Sequence, residues 1–294
     1  MIKKMIIASA LIASSSISVA SVLGDGQQVF SADVSYTSAD KLWMGNESDL
    51  DFGGAKTAYY NYAVEYKRGI KWGLQLDGRL GYTVSRINDG AFSDATESNG
   101  NDSISEISLK VTKNLHKNSV HDLDIYFKYR HPGSDSDPTA PAFLAVNDFS
   151  SHMVLGLADT FTITNSFLLN VDLSYIKRSH ADSLDAFELP ADQIDFKLNA
   201  PIYINEKLMI FPGVAFRHTM SGPGLSTSGF NSISAQAGVP AFFAARERFF
   251  GYLLGASYYM PNLNSGLGFS VFKKASGQNT DQSTTMSVSW GVYL

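Results

Sequence analysis

The 294-residue sequence contains no cysteine, which excludes disulfide bonds, thiolate metal ligands and a cysteine nucleophile. Charged residues make up only 17% of the chain, which is low for a soluble domain of this size. The 28 acidic side chains outnumber the 23 basic ones and no basic cluster is present, so nucleic acid is not expected as a partner. No stretch of the sequence has 18 consecutive apolar residues, so the sequence predicts no transmembrane helix.

The N-terminus has the composition of an export signal. A short basic stretch precedes an apolar run from Met5 to about Ala13, and Ser18-Val19-Ala20 supplies the small residues that a signal peptidase reads. The apolar run is too short to span a bilayer. We therefore expect residues 1–20 to be a cleaved signal peptide and residues 21–294 to form the mature protein outside the cytoplasm.

Apolar and polar residues alternate through the rest of the chain. From Trp72 to Val84 every second residue is apolar or glycine, and the residues of the other parity, from Lys71 onward, include Asp77 and Arg79. A β-strand sends successive side chains to opposite faces, so this segment predicts a strand with one apolar and one charged face. Similar segments of about 10 to 13 residues suit a tilted bilayer crossing. They lie near residues 30–36, 60–66, 106–112, 122–130, 152–163, 167–175, 194–202, 207–218, 249–260, 265–275 and 283–294.

The connections between these segments alternate between short and long. Short periplasmic turns and long extracellular loops are typical of outer-membrane barrels. A soluble lipocalin-like barrel could show similar alternation, but it gives no reason for the regular difference in loop length. We therefore predict an all-β fold, a transmembrane antiparallel up-and-down β-barrel. The predicted turns are Arg68-Gly69, His116–Ser119, Asn165-Ser166 and Asn205-Glu206, and the predicted loops lie near 39–54, 86–102, 131–151, 177–190 and 219–248.

The number of strands depends on residues 233–260, which allow two interpretations. Two strands joined at Arg246-Glu247-Arg248 would give thirteen, with the termini on opposite sides of the membrane. A short helix from Val239 to Arg248 inside a long loop leaves twelve. We favour twelve because bacterial single-chain barrels have even strand counts.

The last nine residues carry a family resemblance. Every second residue is large and apolar, and the sequence resembles the C-terminal signal of Gram-negative outer-membrane β-barrel proteins, although the usual last residue is Phe. The resemblance implies an outer-membrane location, recognition by the barrel-assembly machinery, and contact with outer-membrane lipids and lipopolysaccharide. The nearest general likeness is to porin-like channels and to small-hydrophobe transporters such as the phenol meta-pathway type. The residues of this assembly signal are Met286, Val288, Trp290, Val292 and Leu294.

The side chains on the other face of these strands, opposite the apolar face, include charges of both signs. One interpretation is a water-filled lumen whose charges bias which solutes pass. The other is a plugged interior in which these side chains pair and hold the walls together. The residues predicted to line the pore are Lys71, Asp77, Arg79, Lys110, Asp122, Asp124, Lys128, Arg130, Asp172, Lys197 and Arg217, and Glu65, Lys67, Glu106 and Asp195 share their parity.

The leading prediction for function is passive passage of small solutes across the outer membrane, with the substrate unknown. Two alternatives stay open, an outer-membrane lipid hydrolase and a structural or adhesive barrel. The segment His131–Pro138 contains Ser, His and Asp, but such a run is first of all a turn. The apolar loop 219–248 could form a constriction or a substrate site. No glycine-rich phosphate motif, metal-ligand cluster or nucleophile elbow occurs, so we expect no enzyme activity, cofactor or metal.

Overall fold

A computed structural model describes residues 22–43, 49–51, 56–88, 100–133, 150–179, 192–220 and 247–294. Nearly all of these residues belong to antiparallel β-strands. The strands are β1 (Gln28–Trp43), β2 (Asp49–Asp51), β3 (Lys56–Ile70), β4 (Leu74–Asn88), β5 (Gly100–Lys117), β6 (His121–His131), β7 (Ser151–Thr164), β8 (Phe167–Ser179), β9 (Gln193–Asn199), β10 (Ile202–Tyr203), β11 (Leu208–Thr219), β12 (Arg248–Met260), β13 (Ser265–Gln278) and β14 (Thr280–Tyr293).

The strands close into a barrel. Successive strands pair with one another, and β14 pairs with β1, so that Val34 lies opposite Val288. The three-residue β2 pairs only with the end of β1, and β10 continues β9 along the wall after a short break. Twelve strands therefore form the wall, as the sequence predicts. Closure removes the open sheet edges that a bilayer cannot solvate.

The barrel wall is apolar outside and polar inside. On β4 the outward side chains of Leu76 and Leu80 are exposed, whereas the inward side chains of Gln75, Asp77 and Thr83 are buried. Burial alternates in the same way along β7 and β8. The period-two alternation of the sequence is thus confirmed as the alternation between the outer and inner faces of the wall.

The turn between β3 and β4 lies later than the sequence indicates. Arg68 and Gly69 belong to β3, and the chain reverses in a 3-10 turn at Lys71–Gly73. Trp72 and Gly73 have φ angles of 64° and 67°, a left-handed conformation that suits a tight turn. Lys71, which the sequence predicts to line the pore from a strand, therefore lies in this turn with an exposed side chain.

The two ends of the barrel differ in the length of their connections. The short-turn end carries the termini of the wall at Gln28 and Tyr293 and the turns at 71–73, 118–120, 165–166, 204–207 and 261–264. The long-loop end carries five long connections and one tight turn at Asn279. The predicted asymmetry is confirmed, with the sixth connection on the long-loop side as the exception.

Several sequence predictions fall on residues outside the described ones. These are the signal peptide 1–20, most of the run His131–Pro138, and the apolar loop 219–248 apart from its ends. Arg248 begins β12, so a helix reaching that residue is ruled out. No helix in the described part of the chain is long and apolar enough to cross a membrane.

Candidate functional site: the barrel lumen

The charged residues predicted for the interior do face it, apart from Lys71. They lie on the inward parity of seven strands, β3 to β6 on one side and β8, β9 and β11 on the other. Most of them are arranged in networks that join neighbouring strands rather than standing alone. Their role in permeation stays a prediction.

The central network surrounds Arg79. Its guanidinium makes a two-point contact with Asp33, with Nη1–Oδ2 and Nη2–Oδ1 distances of 3.0 and 3.2 Å. Its Nε lies 3.6 Å from Glu106, and Glu106 also accepts a hydrogen bond of 2.6 Å from Lys128. Charges of opposite sign alternate through this group, which offsets the cost of removing them from bulk water. Asp33 was not among the residues predicted from the sequence.

A second network lies toward the long-loop end of the lumen. Arg217 holds Asp195 through two hydrogen bonds of 2.7 Å and contacts Glu247 at 3.4 Å. Lys274 contacts Glu247 at 3.5 Å and also pairs with Asp281. These contacts link β9, β11, β13 and β14 with Glu247, the residue that precedes β12.

The chain that precedes β1 enters the lumen at the short-turn end. The backbone N–H of Leu23 donates a hydrogen bond of 2.9 Å to Gln75 Oε1, and Gln75 Nε2 donates one of 2.7 Å to Asp77. Leu23 is only 2% exposed and packs with Val29 and Tyr293. This end of the lumen is therefore narrowed by protein.

One sector of the inner wall is apolar, which the sequence analysis missed. Met209 and Phe211 on β11 and Leu253 on β12 form a buried cluster inside the barrel, and Tyr203 and Phe272 pack against it. A signal was present in the sequence, because residues 208–216 and 249–254 are apolar at both parities instead of one. In a membrane barrel such a strand has apolar side chains on its lumenal face as well.

The charged and apolar sectors face each other across a cavity of about 420 Å³. Arg79 and Glu106 line it on the charged side, and Leu253, Phe249 and Phe272 line it on the apolar side. Hydroxyl and amide side chains, among them Ser35 and Asn61, complete the lining. The cavity has the size and mixed chemistry of a small-molecule site.

A serine and a histidine lie within hydrogen-bonding distance near the long-loop end, an arrangement that resembles a nucleophile and its base. Ser150 Oγ lies 3.0 Å from His152 Nε2, and Nδ1 of the same ring lies 3.3 Å from Arg130 Nη1. A guanidinium can only donate, so Nδ1 is the acceptor and the ring proton sits on Nε2. His152 then donates to Ser150 and cannot accept its proton, which a general base would have to do.

Among the described residues no group of three or more His, Asp or Glu side chains could hold a metal ion. The positions where polar groups converge are instead occupied by ion pairs and hydrogen bonds.

The fold is similar to that of solved outer-membrane barrels. The COG4313 outer membrane channel from Pseudomonas putida F1 superposes with a TM-score of 0.70 at 9% identity, over 95% of this chain and 99% of that chain. The NanC porin superposes with a TM-score of 0.52 at 6% identity, over 89% of this chain and 98% of that chain. The translocator domain of the autotransporter NalP from Neisseria meningitidis superposes with a TM-score of 0.51 at 11% identity, over 99% of this chain and 93% of that chain.

No protein-family model matches the sequence, and no curated protein matches it. At such low identities the structural likeness establishes the fold alone. The chain has the β-barrel fold of outer-membrane proteins, as its alternation and C-terminal residues predict.

Proposed function

We propose that the protein is an outer-membrane channel through which small solutes pass passively. The observation that carries the proposal is a closed barrel with an apolar exterior that encloses a cavity with charged and apolar walls. The exterior suits the hydrocarbon core of a bilayer, and the polar lumen suits water and solutes. The proposal includes removal of residues 1–20, assembly by the barrel-assembly machinery and residence among outer-membrane lipids and lipopolysaccharide.

The lumen limits the size of the solutes. Ion-paired side chains project from its inner wall, and Leu23 lies inside the short-turn end against Gln75. Fixed charges and a narrow bore favour small molecules over folded or polymeric cargo. The described Ser150–His152 pair does not support the hydrolase alternative. The ring proton of His152 lies on the nitrogen that faces Ser150, so this nitrogen cannot act as a base toward the serine.

Planar-bilayer recording tests the proposal. Residues 21–294 refolded in detergent and added to a bilayer in potassium chloride should give discrete conductance steps, and liposomes that contain the protein should swell in small sugars. The same preparation heated until its compact gel band disappears serves as the control. Silence of a correctly folded sample in both assays would overturn the proposal, and lipid cleavage by that sample would favour the hydrolase.

A further inference from the structure

One cation in the cavity stands apart from the ion-pair networks. Lys197 on β9 lines the cavity, and in the part of the chain that the structure describes it makes no hydrogen bond or ion pair. Its two acidic neighbours, Asp195 and Asp172, accept their hydrogen bonds from other side chains, although Lys197 and Asp195 are close enough to attract each other. Arg217 holds Asp195 at two points, and the Tyr126 hydroxyl donates to both oxygens of Asp172 at 3.1 and 3.2 Å. A positive charge is thus left facing the cavity.

The wall beside Lys197 is formed by very small residues. Ala215 lies opposite Lys197 on the next strand, and Gly251 lies opposite Ala215 on the strand after it. At about 4.8 Å between strands, Lys197 and Gly251 are about 10 Å apart along the wall. The ring of Phe272 lies over Gly251, where an added Cβ would come within 2.4 Å of Cζ. The wall here therefore has a shallow floor with an aromatic ring at its far side.

The two ends of this floor differ in chemistry. Lys197 offers three N–H donors and a charge, whereas Phe272 and Leu253 offer apolar surface. An inorganic anion would bind the ammonium but leave the apolar end in contact with water. A hydrocarbon would fill the apolar end but leave the ammonium without a partner, which costs free energy in a confined site. A molecule with a carboxylate at one end and an apolar body at the other satisfies both ends.

We propose that this part of the lumen is a binding subsite for small organic anions with an apolar body. The ammonium of Lys197 holds the carboxylate, and the apolar body lies over Ala215 against the ring of Phe272 and the side chain of Leu253. The inference rests on the proposed function, since it names the class of solute that the channel would favour. A saturable subsite within a narrow path raises the local concentration of the solute that it binds.

The test compares two probes of the same shape, benzoate and neutral benzamide, in calorimetric titrations of the refolded protein in detergent. We expect benzoate to bind saturably and benzamide to bind at least about tenfold more weakly, since a charge-assisted hydrogen bond is lost. Lys197→Gln should lower the affinity of the protein for benzoate to its affinity for benzamide. Lys273→Gln, at an exposed outward lysine of β13, is the matched control and should change nothing.

A second variant tests the apolar end. Ala215→Leu fills the floor and should weaken benzoate about tenfold or more while leaving the folded gel mobility unchanged. Equal affinities for benzoate and benzamide, or an unchanged benzoate affinity in Lys197→Gln, would overturn the inference. A protein that conducts in bilayers but does not bind benzoate overturns the inference and keeps the channel. A protein that binds benzoate but does not conduct keeps the subsite and overturns the channel.

Discussion

Arg79 on β4 reaches over β3 to form a two-point ion pair with Asp33 on β1, with N–O distances of 3.0 and 3.2 Å. The strand between them carries Ala63 opposite Asp33 and opposite Gly81. The small alanine leaves room for the long guanidinium side chain to pass. The pair therefore ties together two strands that are not neighbours in the sheet.

Reversing the charge at Arg79 should destabilise the barrel. Arg79→Glu brings a third carboxylate beside Asp33 and Glu106 in a partly buried site, and we expect a loss on the order of 3 kcal/mol in the free energy of unfolding. Urea titrations of the refolded protein, followed by the shift of the folded gel band, measure this loss. The pair Asp33→Asn and Arg79→Gln provides the control. The double variant should lose less than the two single variants together, and strict additivity would show that the two side chains are not coupled.

Removal of the last five residues should block assembly. Trp290 and Val292 pair with Ala32 and Phe30, so deletion of residues 290–294 removes the partners that close the barrel on β1. Tyr293 also packs on Leu23 at the short-turn end. We expect export without folding into the membrane, seen as loss of heat-modifiable gel mobility. Leu294→Phe, which restores the usual terminal residue, should retain normal assembly. A compact heat-modifiable band from the truncated protein would contradict both the closure and the recognition arguments.

Adjacent positions on β1 should differ sharply in their tolerance of charge. Val34 faces outward and is 47% exposed, whereas the next residue, Ser35, faces the cavity. An arginine on the lipid face near the bilayer midplane costs roughly 2 to 4 kcal/mol, whereas Ser35→Arg places its charge in the polar lumen. Unfolding titrations in lipid vesicles should therefore show a large loss for Val34→Arg and a small one for Ser35→Arg. Equal losses would mean that the outward face does not meet lipid.

The charge of Lys197 should bias ion selectivity if the lumen conducts. It lines the cavity and makes no hydrogen bond or ion pair within the described residues, so Lys197→Glu changes the cavity charge without breaking such a contact there. We expect the reversal potential across a potassium chloride gradient to move toward cation preference. The shift should shrink in concentrated salt, where the Debye length is about 3 Å at 1 M. Lys273→Glu on the outer face is the control. A shift of the reversal potential of equal size in that variant would show that the charge in the cavity does not determine ion selectivity.

The period of two determined most of the fold. Alternation from β1 to β8 assigns each side chain to the lumen or to lipid. A strand has only two faces, and only an apolar face is stable against the hydrocarbon core of a bilayer. The same logic placed Asp77, Arg79 and Lys197 in the lumen, and the even strand counts of bacterial barrels made twelve the expected number. The turn at Lys71–Gly73 escaped it, since turn position depends on backbone φ angles that Arg68-Gly69 would also permit.

What fills the lumen was decided by the tertiary structure. Whether Arg79 meets Asp33 depends on the stagger between β1, β3 and β4 and on the small size of Ala63, and neither quantity is visible in a single strand. The same stagger brings Leu23 to Gln75, and it places Lys197 beside Ala215 without a hydrogen-bonded partner among the described residues. Parity tells only which side of the wall a residue occupies. Its partners follow from the register of strands far apart in the sequence, which only closure of the barrel determines.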